Sequence, residues 1–120
     1  MQINEAFLVS AVRTPVGKAK RGALRNVRPE HLGAVAVNGA LAGAGDVDPA
    51  RIDDVVLGCA FPEGPQGMNM ARAIVQKAGL PDSVPGVTVN RFCSSGVQTI
   101  AQAFNSVMLG QADCVVAGGV

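Results

Sequence analysis

Short, almost uninterrupted apolar runs alternate with longer stretches of helical period along this chain, and that alternation is the tightest constraint on its fold. The runs are Ala6–Val12, Val55–Ala60, Val87–Val89 and Cys114–Val120. Continuous apolar runs bounded by turn residues suit strands buried on both faces, as in parallel sheets covered by helices. Between the runs, Pro29-Glu30-His31 predicts a first helical turn. Leu32, Val35, Ala36 and Ala40 then share one face, and Gly43 and Gly45 close the helix. Ala71, Ile74, Val75 and Ala78 keep the helical period up to Gly79, with Pro81 as a stop. Val97, Ile100, Ala101, Phe104, Val107 and Met108 follow the i, i+3, i+4, i+7 rule, opened by a capping-box pattern of Ser95 and Gln98 and closed by Gly110. Asp48-Pro49-Ala50-Arg51-Ile52 reads as a capped single turn. Gly17–Arg28 is a basic loop and Phe61–Gly67 a Pro/Gly-rich one. The expected order is β-α-β-α-β-α-β, an α/β fold with right-handed crossovers and a mainly parallel sheet carrying helices on both faces.

A length of 120 residues fits one domain, taken here as residues 1–120, and 48% hydrophobic content is enough for a core. With 15 glycines and only 3% aromatics, packing must rest on Val, Ala, Leu and Ile. Ten Lys and Arg against nine acids leave no electrostatic footprint for nucleic acid. Lys18, Lys20, Arg21, Arg25 and Arg28 do cluster, but Gly17 and Gly22 break the run and no aromatic interleaves it, which favours a solvated loop over a subunit or anion contact. The three cysteines, Cys59, Cys93 and Cys114, are an odd number with no CxxC spacing, so neither a disulfide framework nor a metal site is expected. No basic leader precedes the first apolar run and no run approaches the ~20 residues of a membrane helix. A soluble, reduced, intracellular protein is expected. The chain stops on an apolar run at Val120, which points to the front portion of a longer protein.

Asn90-Arg91-Phe92-Cys93-Ser94-Ser95-Gly96-Val97-Gln98 lies between the third apolar run and the third helical stretch, so Cys93 is expected at a strand-to-helix turn. Backbone N–H groups not yet taken up by the helix point toward such a position, and the helix dipole favours thiolate there. Free cysteine is also among the most buried residue types, so from position alone a small core hydrophobe and a nucleophile both stay open. Arg91 stands where the G-x-S-x-G elbow has Gly, which argues against a hydrolase. Cys59 ends one apolar run and Cys114 begins another; both read as core or near-core thiols. His31, the one histidine, reads as a surface or helix-end residue. No phosphate-cradling GxGxxG is present.

The Asn90–Gln98 stretch resembles the nucleophile segment of the thiolases, the acyl-CoA acetyltransferases. Val12-Arg13-Thr14-Pro15-Val16-Gly17-Lys18, Pro62-Glu63-Gly64-Pro65-Gln66-Gly67-Met68-Asn69-Met70-Ala71-Arg72 and Val116-Ala117-Gly118-Gly119-Val120 are similar to other thiolase stretches in the same order. The resemblance implies the first half of a thiolase-like layered fold, with Cys93 as the catalytic residue that takes the acyl group. It implies acyl-CoA and coenzyme A as substrates, no bound cofactor or metal, a cytoplasmic role in fatty acid metabolism such as β-oxidation, and a dimer or tetramer in contact through the third strand. It further implies that a catalytic His and a second catalytic Cys follow Val120, so that these 120 residues alone lack turnover; neither Cys59 nor Cys114 matches that second Cys. Glu63 and Arg72 flank a loop similar to the thiolase segment that reaches a neighbouring subunit's active site, where a structural ion pair, or none, is the simpler role. Gly118 and Gly119 are expected as a close-approach backbone under the site. A β-ketoacyl synthase or 3-hydroxy-3-methylglutaryl-CoA synthase relative shares the fold and nucleophile position, but Arg13-Thr14-Pro15 and Asn90-Arg91 favour thiolase. A non-catalytic interaction module, binding through an exposed strand edge, is the alternative of another kind.

Overall fold

A computed structural model describes residues 2–120. The elements are α1 (Pro29–Gly43), β1 (Asp54–Gly58), α2 (Met70–Lys77), β2 (Val87–Val89), α3 (Ser95–Met108) and β3 (Val115–Gly119), in that order along the chain. The strands form one parallel sheet in the order β2-β1-β3, with Val56 opposite Val87 on one side and Ala117 on the other. The connection from β1 to β2 moves one way across the sheet and that from β2 to β3 moves back past β1. Right-handed crossovers therefore put α2 and α3 on opposite faces. The expected α/β class, a parallel sheet with helices on both faces, is what the chain forms.

β1 is the centre of the core because both its faces are covered, and Val55, Val56, Leu57 and Gly58 are all buried. Val55 and Leu57 pack with Ala71, Ile74 and Val75 of α2 and with Val84 and Leu80. Val56 points the other way and lines a shallow hollow with Ser106 of α3. Ladder bonds run past the strand ends at Cys59 N–H to Val89 O and Val120 N–H to Gly58 O, so the carboxyl ends of all three strands are held together.

Three expectations about strands and buried helix faces differ from the structure. The Ala6–Val12 run is not a strand: it lies outside the sheet, with Phe7, Leu8 and Val9 70–83% exposed. Ser10 and Val12 lie beside Gly43 and Gly39 of α1, and Asn4 N–H donates to Met108 O at the end of α3. A strand exists through its partner, and among the described residues no strand edge ladders with this backbone. The second difference is the buried face of α1, which is Gly33, Ala34 and Val37, while Val35 is exposed. Gly33 decides this, because only a residue without Cβ admits the Ile74 side chain of α2 at that distance. The third is α3. Its buried stripe is Ser95, Thr99 and Ala103, whereas Val97, Ile100 and Phe104 face outward at 73%, 58% and 48% exposure. Small residues at i, i+4 and i+8 bring the helix close onto Gly58 and Gly118, and that approach turns the larger apolar stripe away from the sheet.

Candidate active site

Cys93 sits where the sequence places it, in a single 3-10 turn, Phe92–Ser94, that joins β2 to α3 at the carboxyl end of the parallel sheet. This end is where open α/β sheets bind ligands. Its thiol is exposed, whereas Cys59 is buried and Cys114 half-buried; all three are free. No group of three or more His, Cys, Asp or Glu among the described residues is placed to hold a metal.

The turn is held by side-chain bonds to its own backbone. Asn90 Oδ1 accepts the Phe92 N–H at 2.8 Å, Ser94 Oγ donates to Arg91 O at 2.9 Å, and Ser95 Oγ both accepts the Arg91 N–H at 2.9 Å and donates to Phe92 O at 2.6 Å. Phe92 consequently takes φ +49°, a left-handed conformation that bulky residues rarely adopt. The expected capping box is not formed. Ser94 is the residue before the helix and makes no side-chain cap, while Ser95 is already helical and turns its hydroxyl back onto the turn. Among the described residues the Cys93 N–H has no hydrogen-bond acceptor, which leaves a backbone donor beside the thiol.

Beneath the turn, Gly58 at the end of β1 carries Ser95 directly, since a Cβ there would lie 2.7 Å from Ser95 Cβ. Thr99, fully buried, shares its one Oγ1–H between Gly118 O and Gly96 O, each at 2.9 Å, tying α3 to β3. Gly118 thus acts through its carbonyl, and Gly119 is the closer backbone approach, with a notional Cβ 3.1 Å from Gly58 O.

A second network holds β2, the strand that delivers the turn. Asn69 caps α2: its Oδ1 accepts from Arg72 N–H and the Thr88 hydroxyl, and its Nδ2 donates to Gly86 O at 2.8 Å. Thr88 Oγ1 in turn accepts the Ala71 N–H at 3.0 Å. Arg72 does not pair with Glu63. Its guanidinium donates to Val84 O and Asp82 O and lies 4.0 Å from the Asp82 carboxylate, bracing the loop before β2. Asn69 escaped the sequence reading, although Asn immediately before a helical period is a recognised N-cap signal.

The remaining candidates lie apart from this turn. His31 is exposed near the start of α1 and lines a hollow with Arg28 and Lys77. Lys18, Lys20, Arg21, Arg25 and Arg28 are all exposed. Asp53 accepts the N–H groups of Asp113 and Cys114, and these bonds hold its carboxyl below the usual value. Burial, with the nearby Asp53 charge, pushes the Cys114 thiol up. Of the three thiols, only that of Cys93 is exposed.

An α/β layered protein with a free thiol on a strand-to-helix turn is the class that fold and site define. Residues 6–120 match the family model of the thiolase N-terminal domain, and the chain belongs to the thiolase family. It is 55% identical over 117 residues to a 3-ketoacyl-CoA thiolase of Bacillus subtilis, covering 98% of this chain and 30% of that protein. It is 45% identical to a β-ketoadipyl-CoA thiolase of Pseudomonas knackmussii, covering 97% and 29%. The crystal structure of the Bacillus anthracis acetyl-CoA acetyltransferase superposes with a TM-score of 0.92 at 39% identity, covering 99% of this chain and 29% of that one. The chain thus spans about 30% of the length of the curated relatives it matches. No helix among the described residues is long and apolar enough to cross a membrane.

Proposed function

We propose that this chain supplies the acyl-accepting thiol of a thiolase and that Cys93 is that thiol. The observation that carries the reading is the exposed Cys93 at the carboxyl end of the sheet, on the turn that opens α3, in a chain of the thiolase family. In the thiolytic direction the Cys93 thiolate adds to the 3-oxo carbon of a 3-oxoacyl-CoA. The bond between the second and third acyl carbons then breaks, and its electron pair leaves on the α-carbon of acetyl-CoA, which takes up a proton. Coenzyme A thiolate next attacks the acyl-cysteine thioester, releasing the shortened acyl-CoA and restoring Cys93. Run backward, the same steps condense two acyl-CoA molecules. Exchange of one thioester for another is nearly isoenergetic, which suits a cysteine to hold the acyl group between the half-reactions.

The Cys93 N–H serves as one donor toward the thioester oxygen, since among the described residues it is a backbone N–H with no other acceptor. The substrates are coenzyme A thioesters, with no resident cofactor. The two proton transfers need a base near Cys93, and the one histidine, His31, is an exposed residue of α1. The 120 residues therefore accept an acyl group without completing a catalytic cycle. Assembly as a dimer or tetramer, a cytoplasmic location and a place in β-oxidation are proposed with it, on the resemblance to thiolases alone.

Competitive alkylation tests it. Iodoacetamide at neutral pH, followed by digestion and mass spectrometry, is expected to label Cys93 first, Cys114 slowly and Cys59 last. Equal labelling of Cys93 and Cys114 would refute the assignment. Thiolysis of acetoacetyl-CoA by the chain alone, abolished by Cys93→Ser, would refute the claim that it lacks turnover. Mixing with a separately expressed polypeptide carrying the remaining two-thirds of a relative distinguishes the readings: restored thiolysis supports the enzyme, and tight association without turnover supports an interaction module.

A further inference from the structure

We propose that Ser95 is a positioning residue for Cys93, acting through its hydroxyl to hold the turn in its reactive shape. The inference rests on Cys93 being the acyl acceptor. Ser95 is one of two buried polar residues among those described, at 5% exposure, and it is the first residue of α3. Its Oγ accepts the Arg91 N–H at 2.9 Å and donates to Phe92 O at 2.6 Å, so a single oxygen grips the backbone on both sides of Phe92. Phe92 holds φ +49°, and a bulky residue stays in that region only where its surroundings over-determine it. The other side chains that brace the turn, Asn90 and Ser94, are exposed, so water can replace their bonds. Ser95 is shielded, and water does not readily take its place.

The position of Ser95 is itself imposed from below. A Cβ on Gly58 would come within 2.7 Å of Ser95 Cβ and 2.9 Å of its carbonyl carbon, so the residue sits hard against the end of the central strand. Its neighbours in the first turn of α3 cannot share the task, because Gly96 has no side chain and Val97 faces solvent. The rigid end of β1 is thereby transmitted through one hydroxyl to the peptide groups that precede Cys93. Loss of that oxygen leaves the Arg91 N–H without its acceptor and frees Phe92 to return to an ordinary φ, which rotates the chain entering Cys93.

The three cysteines supply the readouts for the test. In the alkylation experiment on the 120-residue chain, Cys93 reports the turn, and Cys59, at 1% exposure, reports whether the fold is intact. Ser95→Ala is expected to slow Cys93 labelling roughly tenfold, the population shift set by losing a shielded two-bond hydroxyl, with Cys59 still protected. Ser95→Thr, which keeps a hydroxyl on the same carbon, is expected to recover most of the rate. An unchanged Cys93 rate in Ser95→Ala would overturn the inference. So would deprotection of Cys59 in that variant, which would make the hydroxyl a support of the whole fold, or failure of Ser95→Thr to recover the rate. A wild-type Cys93 no faster than Cys114 would instead overturn the acyl-acceptor reading, and the inference with it.

Discussion

Gly58→Ala puts the seating of α3 on β1 under a direct load. A Cβ there would stand 2.7 Å from Ser95 Cβ, 2.9 Å from Ser95 C and 3.2 Å from Gly96 N. Ordinary carbon contacts lie at about 3.5–4.0 Å, so α3 must lift by roughly 1 Å at its first turn. None of these atoms is the far end of a flexible side chain, so no rotamer change relieves the clash. Overpacking of this kind costs about 1–3 kcal/mol. For a small domain losing about 1–3 kcal/mol of stability per molar urea, the unfolding midpoint should fall by roughly 1 M. The chain has no Trp and no Tyr, so far-UV circular dichroism is the suitable probe. Gly96→Ala is the matched control, since its Cβ would meet nothing within 4 Å and the position is helical. That substitution should stabilise by about 0.5 kcal/mol through the unfolded chain's lost freedom. A Gly58→Ala midpoint equal to wild type, or a Gly96→Ala loss as large as that of Gly58→Ala, would refute the claim that α3 rests on Gly58.

Asn69→Ala removes the α2 cap and the ties to Thr88 and Gly86, and should cost about 1–2 kcal/mol while speeding amide exchange at Ala71 and Arg72. Slow exchange retained at both amides would count against the network. Thr99→Val keeps the shape of a fully buried side chain but deletes its bonds to Gly96 O and Gly118 O, with an expected loss of about 1 kcal/mol in urea unfolding. Asp53 is held below its ordinary value of 3.8 chiefly by the Asp113 N–H and then by the Cys114 N–H. Its contribution is therefore complete above that value and is lost as pH falls through the lower folded one. Wild type should be more stable than Asp53→Asn near neutrality, with the gap closing on strong acidification; a gap independent of pH would contradict the assignment.

Much of the fold could be read from pattern. β1, β2 and β3 fall on the second, third and fourth apolar runs, and α2 ends before Gly79, which has φ +76° as a helix-closing glycine requires. Asp48 caps the single turn at Pro49–Arg51 through Ala50 N–H. Local order alone put Cys93 on a strand-to-helix turn, where the structure has it. What the pattern misjudged was orientation. On α3 the larger residues Val97, Ile100 and Phe104 carry the helical period, yet Ser95, Thr99 and Ala103 face the sheet. Hydropathy ranks residues by transfer from water, while contact with a sheet at close range selects for small volume, and the two criteria name different faces of one helix.

Ser95 and Gln98 have capping-box spacing, but Ser95 lies one residue inside the helix and bonds backward to Arg91 and Phe92. The Ala6–Val12 run has the apolar pattern of a buried strand and, among the described residues, no ladder. Sequence by itself determined the class of fold, the order of its layers and the residue that stands at the turn, because hydrophobic period, turn residues and the Asn90–Gln98 segment are local properties. Only the tertiary structure decided which face of α3 meets the sheet, which apolar run finds a strand partner and which hydroxyl bonds back to Arg91 and Phe92. Each of those depends on two segments distant in sequence arriving at one place, such as Gly58 beneath Ser95, and no single stretch of chain carries that information.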